Sequence, residues 1–382
     1  MRHKPVRLLI LLLLLAAGGS LLALAAYTPN GRELVSLRYL EDTFLPRAVS
    51  AGEAAYDARE SGVLAQAGAA LEDLDADHRF YLDAADGNLT VCDAWTDFRC
   101  KKGDVVTVGT GTGFLLLAGG ADVSPSSGAV VDVTDGLEVP DGTALLPQHR
   151  YLAAEKTVAA VTVTSDTAVL SVEGSYILSP SKSTDYNMLA DAMKAMGLFR
   201  GSDTGYGSGY DLEKVPTRIQ GLIMFLRLIG EEHSALATSA PCPFSDVPAW
   251  CRPYVAYAYE KGYTKGISQT EFGPSLELRS TEYLTFVLRA LGYSDSGENA
   301  DFAWDTALFR ALQLGVLTAR EHKMLTEQPF LRAQVVYVSY YALDARLKTT
   351  GKSLYATLTA AGVLDDAVAG PARAAVTSVR MR

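Results

Sequence analysis

Histidine is scarce in this chain: five residues among 382, at positions 3, 78, 149, 233 and 322, and none in an H-E-x-x-H or comparable ligand spacing. That removes the usual signature of a zinc hydrolase. Cysteine is rarer still, with four residues that fall into two close pairs, Cys92 with Cys100 and Cys242 with Cys251. Neither pair has C-x-x-C spacing or a nearby histidine, so a zinc site is only the competing reading. A Gly-x-Ser-x-Gly nucleophile elbow is missing, because Gly205-Tyr-Gly-Ser-Gly209 has the wrong spacing. Gly109-Thr-Gly-Thr-Gly113 is no dinucleotide loop, since its third glycine is misplaced and FLLLAGG follows where a helix should begin. Asp73, Asp75 and Asp77 imitate a calcium loop, but His78 and Ala84 occupy the glycine and glutamate places. Basic excess is lacking as well: the formal net charge is -10 and the pI is near 5.1. Nucleic-acid binders carry a basic face, so nucleic acid is excluded, and a polyanionic partner would need a focused basic pocket. These absences lead us to expect a protein without catalytic residues, metal or cofactor.

The N-terminus is where long apolar sequence does occur. Arg2, Lys4 and Arg7 precede LLILLLLLAAGGSLLALAA, from Leu8 to Ala26. This has the layout of an export signal, and Ala23-Leu24-Ala25 fits the small-x-small cleavage rule, placing removal after Ala25 or Ala26. The run is also long enough to span a bilayer, so an uncleaved membrane anchor through residues 8–26 is the alternative. Export makes local disulfides the expectation, Cys92 with Cys100 and Cys242 with Cys251. Closing a loop of about ten residues would contribute roughly 2.5–3 kcal/mol in the chain-entropy model.

Beyond the signal the chain changes character three times. Residues 31–79 are rich in Ala, Leu, Glu and Arg, with Leu64, Ala67, Leu71 and Leu74 at helical spacing. A helical stalk is expected, broken in two by Pro46. From about Lys101 to Leu178 come short β-branched runs, VVTV, FLLL, AVVDV, VAAVTVTS, AVLSVEG and SYIL, separated by glycine turns. They predict a small all-β domain with hairpins at Gly109–Gly113, Thr134-Asp-Gly136 and Asp141-Gly142.

After the linker Ser179–Thr184 the chain turns helical and repeats itself. MLADAMKAMGLFRG followed by GYDLEKVPTRIQGLIMFLRLIG aligns with YVAYAYEKGYTKG followed by TEFGPSLELRSTEYLTFVLRALGY. A shorter third unit runs ALFRALQLGVL, then TEQPFLRAQVVYVSYYAL. Each is a helix, a glycine-marked loop and a longer apolar helix, and the pairs Gly197/Gly201 and Gly262/Gly266 share a four-residue spacing. Glycine after an amphipathic helix is the usual left-handed C-cap. Before the second unit stands Cys242-Pro-Phe-Ser-Asp-Val-Pro-Ala-Trp-Cys251, in which Asp246 or Ser245 is expected to cap the next helix and Trp250 to plug the turn.

The run FSDVPAW, YVAYAYEKGYTKGIS, TEFGPS and LRSTEYLTFVLRALGY resembles a bacterial S-layer homology repeat. The resemblance covers Tyr186 to Leu343 as three repeats and is best in the second. It implies an all-helical three-pronged bundle that attaches exported proteins non-covalently to a pyruvylated secondary polymer of the Gram-positive cell wall. Such repeats commonly start their long helix with a Thr-Arg-Ala-Glu-like motif whose arginine lies in the polymer groove. Here Thr217-Arg218-Ile219-Gln220 and Leu331-Arg332-Ala333-Gln334 match it, with glutamine in place of the acid. In the second repeat Ser280 takes the arginine's place, Arg279 is displaced by one residue, and Glu282 keeps the acid. The resemblance therefore points to Arg218, Arg332, Arg279, Asp246, Trp250 and Gly266 as polymer contacts. A guanidinium suits a ketal carboxylate because it pairs bidentately and stays charged when partly dehydrated. The competing view makes Arg218 and Arg332 helix-start residues paired with local acids such as Glu213.

The expected architecture is multidomain: signal peptide or membrane anchor at 1–26, helical stalk at 27–80, small β domain at 81–180, an all-α three-repeat bundle at 186–350 (about 186–235, 242–295 and 300–345), and a C-terminal tail at 351–382. The expected function is cell-surface attachment through the wall polymer or peptidoglycan. The alternatives are a membrane-anchored scaffold whose repeats bind protein, and an enzyme of the wall with its site in the β domain.

Overall fold

The structure, a computed structural model, describes residues 36–83, 87–201, 206 and 209–382. The signal or anchor segment, Leu8–Ala26, lies outside the described residues, and among those described no helix is long and apolar enough to cross a membrane. The chain divides into two compact units, Met1–Glu72 and Asp73–Arg382.

The described residues of the first unit are helical. A helical turn at Leu37–Tyr39 passes through a π-helical turn at Leu40–Phe44 into the long helix α1, Leu45–Asp83. Pro46 does not break the helix, contrary to expectation. It stands in the first turn of α1, directly after the π turn, where a missing N–H costs least. The aspartates at 73, 75 and 77 fall on helical backbone rather than in a loop.

The second unit begins with a ten-stranded antiparallel sheet, in the order β6-β5-β8-β3-β10-β2-β9-β4-β7, with β1 paired to β10. The strands are β1 Leu89–Lys101, β2 Val105–Gly109, β3 Gly113–Ala118, β4 Ala121–Ser127, β5 Val130–Asp132, β6 Leu137–Val139, β7 Thr143–Ala144, β8 Arg150–Ala153, β9 Val158–Val163 and β10 Thr167–Ser179. Alternation decides which side chains point inward: Val106, Val108, Phe114, Leu116, Val161, Val163, Leu170 and Val172 form the core. The hairpin glycines Gly111, Gly136 and Gly142 all have positive φ, as the turns require. β10 is the organising strand. Residues 169–173 pair with β3 and residues 176–179 with β2, and the changeover falls at Gly174, whose φ is 121°. A Cβ there would stand 2.9 Å from the backbone of Thr112. Thr112 Oγ1 closes the gap, donating to the Ser175 carbonyl at 3.0 Å and accepting its N–H at 3.2 Å.

β1 went unrecognised in the sequence because LTVCDAWTDFRCK has no continuous apolar alternation. It carries Cys92 opposite Gly174 and Cys100 opposite Ala168. The expected Cys92–Cys100 disulfide is not present, and both are free thiols. A strand advances roughly 3.3 Å per residue, which carries residues eight apart well beyond the ~4.4–6.8 Å Cα separation that a disulfide needs.

The remainder is helical: α2 Tyr186–Ala195, α3 Arg218–Leu228, α4 Glu232–Leu236, α5 Arg252–Glu260, α6 Ser280–Ala290, α7 Ala307–Gln313, α8 Ala319–Glu327, α9 Arg332–Ala342, α10 Leu354–Ala360 and α11 Asp366–Ala374. The long apolar helices α3, α6 and α9 share one core in which Tyr283 and Tyr337 are fully buried. Their starts are tied to loops of other segments. Arg218 and Ile219 N–H donate to the Leu276 and Pro274 carbonyls at 2.7 and 3.2 Å, and Arg332 and Ala333 N–H donate to Lys214 and Leu212 at 2.9 and 3.0 Å. Ser280 Oγ donates to Leu325 at 3.0 Å.

The segment expected as a tail is folded. Arg380 makes a two-pronged pair with the fully buried Glu321, at 2.7 and 2.8 Å, while Met381 N–H donates to Tyr337 Oη at 2.9 Å. The sheet is joined to the helices by polar contacts. Arg99 pairs with both oxygens of Asp191 at 3.1 Å, Asn187 Nδ2 donates to the Cys100 carbonyl at 3.1 Å, and Gln334 Nε2 donates to Asp166 at 3.0 Å.

Candidate functional site

The site is built from the turn upward. In FSDVPAW, Asp246 does not cap the following helix. Its two carboxylate oxygens accept the N–H groups of Phe272 at 2.9 Å and Gly273 at 2.7 Å, tying the turn to the TEFGPS loop 26 residues later. Ser245 works in the same direction, with its N–H and Oγ both donating to the Thr270 carbonyl. α5 instead has Cys251 at its N-cap position, Pro253 in its first turn and no side-chain cap. Trp250 is 63% exposed and plugs nothing. Nor is the turn held by a Cys242–Cys251 disulfide. Each thiol is free and faces a carbonyl of the same turn, Cys242 Sγ to Phe244 at 3.7 Å and Cys251 Sγ to Pro248 at 3.5 Å. The Asp246 bridges supply the cross-link that the disulfide was expected to provide.

Gly266 then does what only glycine can. Its φ is 76°, and a Cβ would stand 2.4 Å from the Phe244 ring and 2.6 Å from the Glu271 carbonyl. The tight turn brings Lys265 and Ile267 to the lip of a cavity of about 430 Å³ whose walls include Arg218 of α3, Glu282 and Arg289 of α6, Asp295 and Trp304.

Arg218 lies at the bottom of this groove and is 7% exposed. Its partner is not the sequence-local Glu213 but Glu282, 64 residues away, which accepts from Arg218 Nη1 and also takes the Arg279 N–H at 2.9 Å. The guanidinium sits 5.1 Å over the Phe272 ring, and its Nε has no hydrogen-bond partner. Burial holds the Arg218 pKa below its ordinary value, against the pull of Glu282, yet an arginine remains charged at any physiological pH. Gln220 completes a capping box with Thr217, accepting the Thr217 N–H at 3.0 Å.

Further out, Arg289 binds Asp295 twice, at 3.0 and 2.6 Å, and Lys265 reaches the same carboxylate at 3.4 Å. Three cations thus face two carboxylates, a focused basic pocket in an acidic protein. Lys265, Arg289, Asp295 and Trp304 had not been read as site residues. The signal was there in part: Arg227 with Glu232 at 2.8 Å and Arg200 at 3.5 Å repeats the Arg289, Asp295 and Lys265 constellation at matching places in the preceding segment.

The other expected contacts lie elsewhere. Arg332 is buried away from this groove, with Nε donating to the Tyr210 carbonyl at 3.1 Å and its guanidinium 5.8 Å over Phe199. Burial lowers its pKa too. Arg279 is an exposed N-cap residue of α6. The first N–H groups of α3 and α9 are already taken by loop carbonyls, so those helix ends do not offer the free donors that an anion would use.

Among the described residues, one group of metal-ligating type occurs, Asp132, Asp135 and His149. It is satisfied internally. Asp132 Oδ1 accepts the N–H groups of Thr134 and Asp135 at 2.9 and 3.2 Å, and His149 Nδ1 lies 2.8 Å from Oδ2.

The turn, the glycine and the groove's lip coincide with a recognised module: the family model of the S-layer homology domain matches residues 243–278. The chain carries an S-layer homology domain. Over 89 residues it is 36% identical to a cell surface protein of Thermoanaerobacter kivui, covering 22% of this chain and 12% of that protein. A middle cell wall protein of Brevibacillus brevis is 28% identical over 127 residues, 32% of this chain and 12% of its own length. A surface layer protein of Brevibacillus choshinensis is 25% identical over 177 residues, 42% of this chain and 15% of its own. The matches to these curated relatives therefore span only a small fraction of their length. The S-layer homology segment contributes Lys265, Gly266 and Ile267 to the groove, while Arg218 comes from the segment before it and Glu282 and Arg289 from the helix after it.

Proposed function

We propose that the protein resides at the cell surface and attaches non-covalently to the cell wall by taking an acidic polymer, of the pyruvylated type, into the Arg218 groove. The observation that carries this reading is the state of Arg218: a buried guanidinium, paired on one side with Glu282, that lines an open cavity together with Lys265 and Arg289. A ligand carboxylate in the cavity would pair with this guanidinium, and the charge-assisted bond gains from the low local dielectric. Lys265 and Arg289 would neutralise further charge, and the exposed indole of Trp304 offers a sugar-stacking face.

In this reading Tyr186–Leu343 forms three S-layer homology repeats. The equivalence of Arg227–Glu232 with Arg289–Asp295 supports it for the first two, and the cross-tied helix starts support it for all three. The reading makes the protein a binding module rather than an enzyme, with the β domain carried as cargo of unassigned ligand. The test is co-sedimentation of the full chain with purified walls before and after chemical removal of their secondary polymer. Binding that vanishes with the polymer and weakens in Arg218→Ala supports the assignment. Equal binding to stripped walls refutes it and favours a scaffold that recognises protein or peptidoglycan.

A further inference from the structure

Helix α1 presents Leu45, Val49, Tyr56, Val63, Ala67 and Leu74 along one side, at spacings of four and seven residues. At 3.6 residues per turn they share a stripe less than a quarter of the helix circumference wide. Leu45, Val63 and Leu74 are 48%, 58% and 66% exposed. A helix in water draws most of its stability from packing an apolar face, and this one leaves its face open.

The charges beside the stripe say what covers it. Between Leu45 and Leu71 one edge carries Arg59 as its single charge, while the opposite edge carries Glu53, Asp57 and Glu60. Tyr56, Val63, Arg59 and Glu60 together line a shallow apolar groove at the middle of the stripe. In a two-fold dimer of parallel helices the left edge of one helix faces the right edge of the other. In an antiparallel dimer each edge meets its own kind. Only the parallel arrangement sets Arg59 against acids, and only it avoids stacking one acidic edge on another.

We infer that α1 is a self-association surface and that its partner is a second copy of this chain, aligned parallel and in register through the stripe from Leu45 to Leu74. Val63 then packs on Val63 of the second copy, and Arg59 reaches the acidic edge that holds Asp57 and Glu60. Pairing doubles the number of wall-binding grooves in one particle, which raises avidity without any new contact to the wall.

The experiment uses the full chain in mild detergent, with mass measured by light scattering across a dilution series. The parent should run as a dimer. Arg59→Glu puts acids on both edges and should raise the dimer dissociation constant about tenfold or more, and the exchange Arg59→Glu with Glu60→Arg should recover most of the loss. These are exposed helix positions, and circular dichroism confirms that each variant keeps its helix. For orientation, Leu45→Cys should form a disulfide-linked dimer on mild oxidation, whereas Arg47→Cys, on the opposite face, should not exceed the parent's background. A monomeric parent overturns the inference, as does an Arg59→Glu variant that dimerises like the parent. A dimer in which Leu45→Cys fails to cross-link overturns the parallel arrangement, and wall binding that persists in a monomeric variant leaves the groove assignment untouched.

Discussion

Replacing Arg218 with alanine separates the groove's chemistry from its architecture. The loss to folding is bounded by what Arg218 leaves behind. Glu282 keeps the Arg279 N–H at 2.9 Å and is partly solvated, so it does not become a bare buried charge. Losing the pair and the stacking over Phe272 should cost about 1–2 kcal/mol of stability, which leaves the domain folded. The loss to binding is larger in relative terms. A charge-assisted bond contributes about 1.5–3 kcal/mol, so the affinity for polymer-bearing walls should fall by roughly ten- to a hundredfold. Arg218→Lys should recover little, because an ammonium cannot hold Glu282 and a ligand carboxylate in one plane. Arg332→Ala provides the contrast. Its guanidinium is committed to the Tyr210 carbonyl, so its removal should cost about 1–3 kcal/mol of stability while leaving wall affinity within about threefold of the parent. The assay is sedimentation of the full chain with walls, with each variant first checked by circular dichroism and urea titration. If Arg218→Ala binds like the parent, or Arg332→Ala abolishes binding while remaining folded, the reasoning from burial and partners is wrong.

Four further outcomes are expected. Gly266→Ala forces a Cβ to 2.4 Å from the Phe244 ring at positive φ, and should lower stability by about 2–3 kcal/mol, seen as a reduced urea midpoint. Asp295 is held below its ordinary value of 3.8: burial opposes this, but the hydrogen bonds from Arg289 prevail. A depressed carboxyl stabilises the fold above its unfolded pKa and loses that contribution as pH falls through the folded value, so Asp295→Asn should be less stable than the parent at pH 7, with the gap starting to close as pH falls to 3.8 and vanishing only below the still lower folded value. The same substitution leaves Arg289 and Lys265 less neutralised and should tighten wall binding, whereas unchanged affinity would remove them from the groove's field. Burial pushes the Cys100 thiol up to about 12, so Cys100 should resist maleimide at pH 7 until the chain is denatured, and rapid labelling of the native protein would contradict its place in the sheet core.

Much of this molecule was written in local pattern. Short β-branched runs between glycine turns marked five of the ten strands, β2, β3, β5, β9 and β10, because a half-buried strand favours such side chains, while β1, β4, β6, β7 and β8 carry no such run. The paired glycines and the FSDVPAW turn marked the S-layer homology segment, since a left-handed turn and a backbone-binding aspartate tolerate few substitutes. What the sequence could not display was partnership across distance. The sequence makes Cys92 and Cys100 neighbours, but β1 extends between them and leaves both thiols free. Asp246 looks like a helix cap, yet the loop folding back at Phe272 and Gly273 meets it first. Arg218 and Arg332 occupy the same motif position, and only packing decides that one meets Glu282 at an open groove while the other is spent on the Tyr210 carbonyl, 122 residues away. Sequence alone determined where backbone turns and which face is apolar, because those follow from steric and solvation preferences within a few residues. Which charges meet, and which of them line a cavity, was decided by the tertiary structure, since a guanidinium's environment is set by whichever segments the core brings against it.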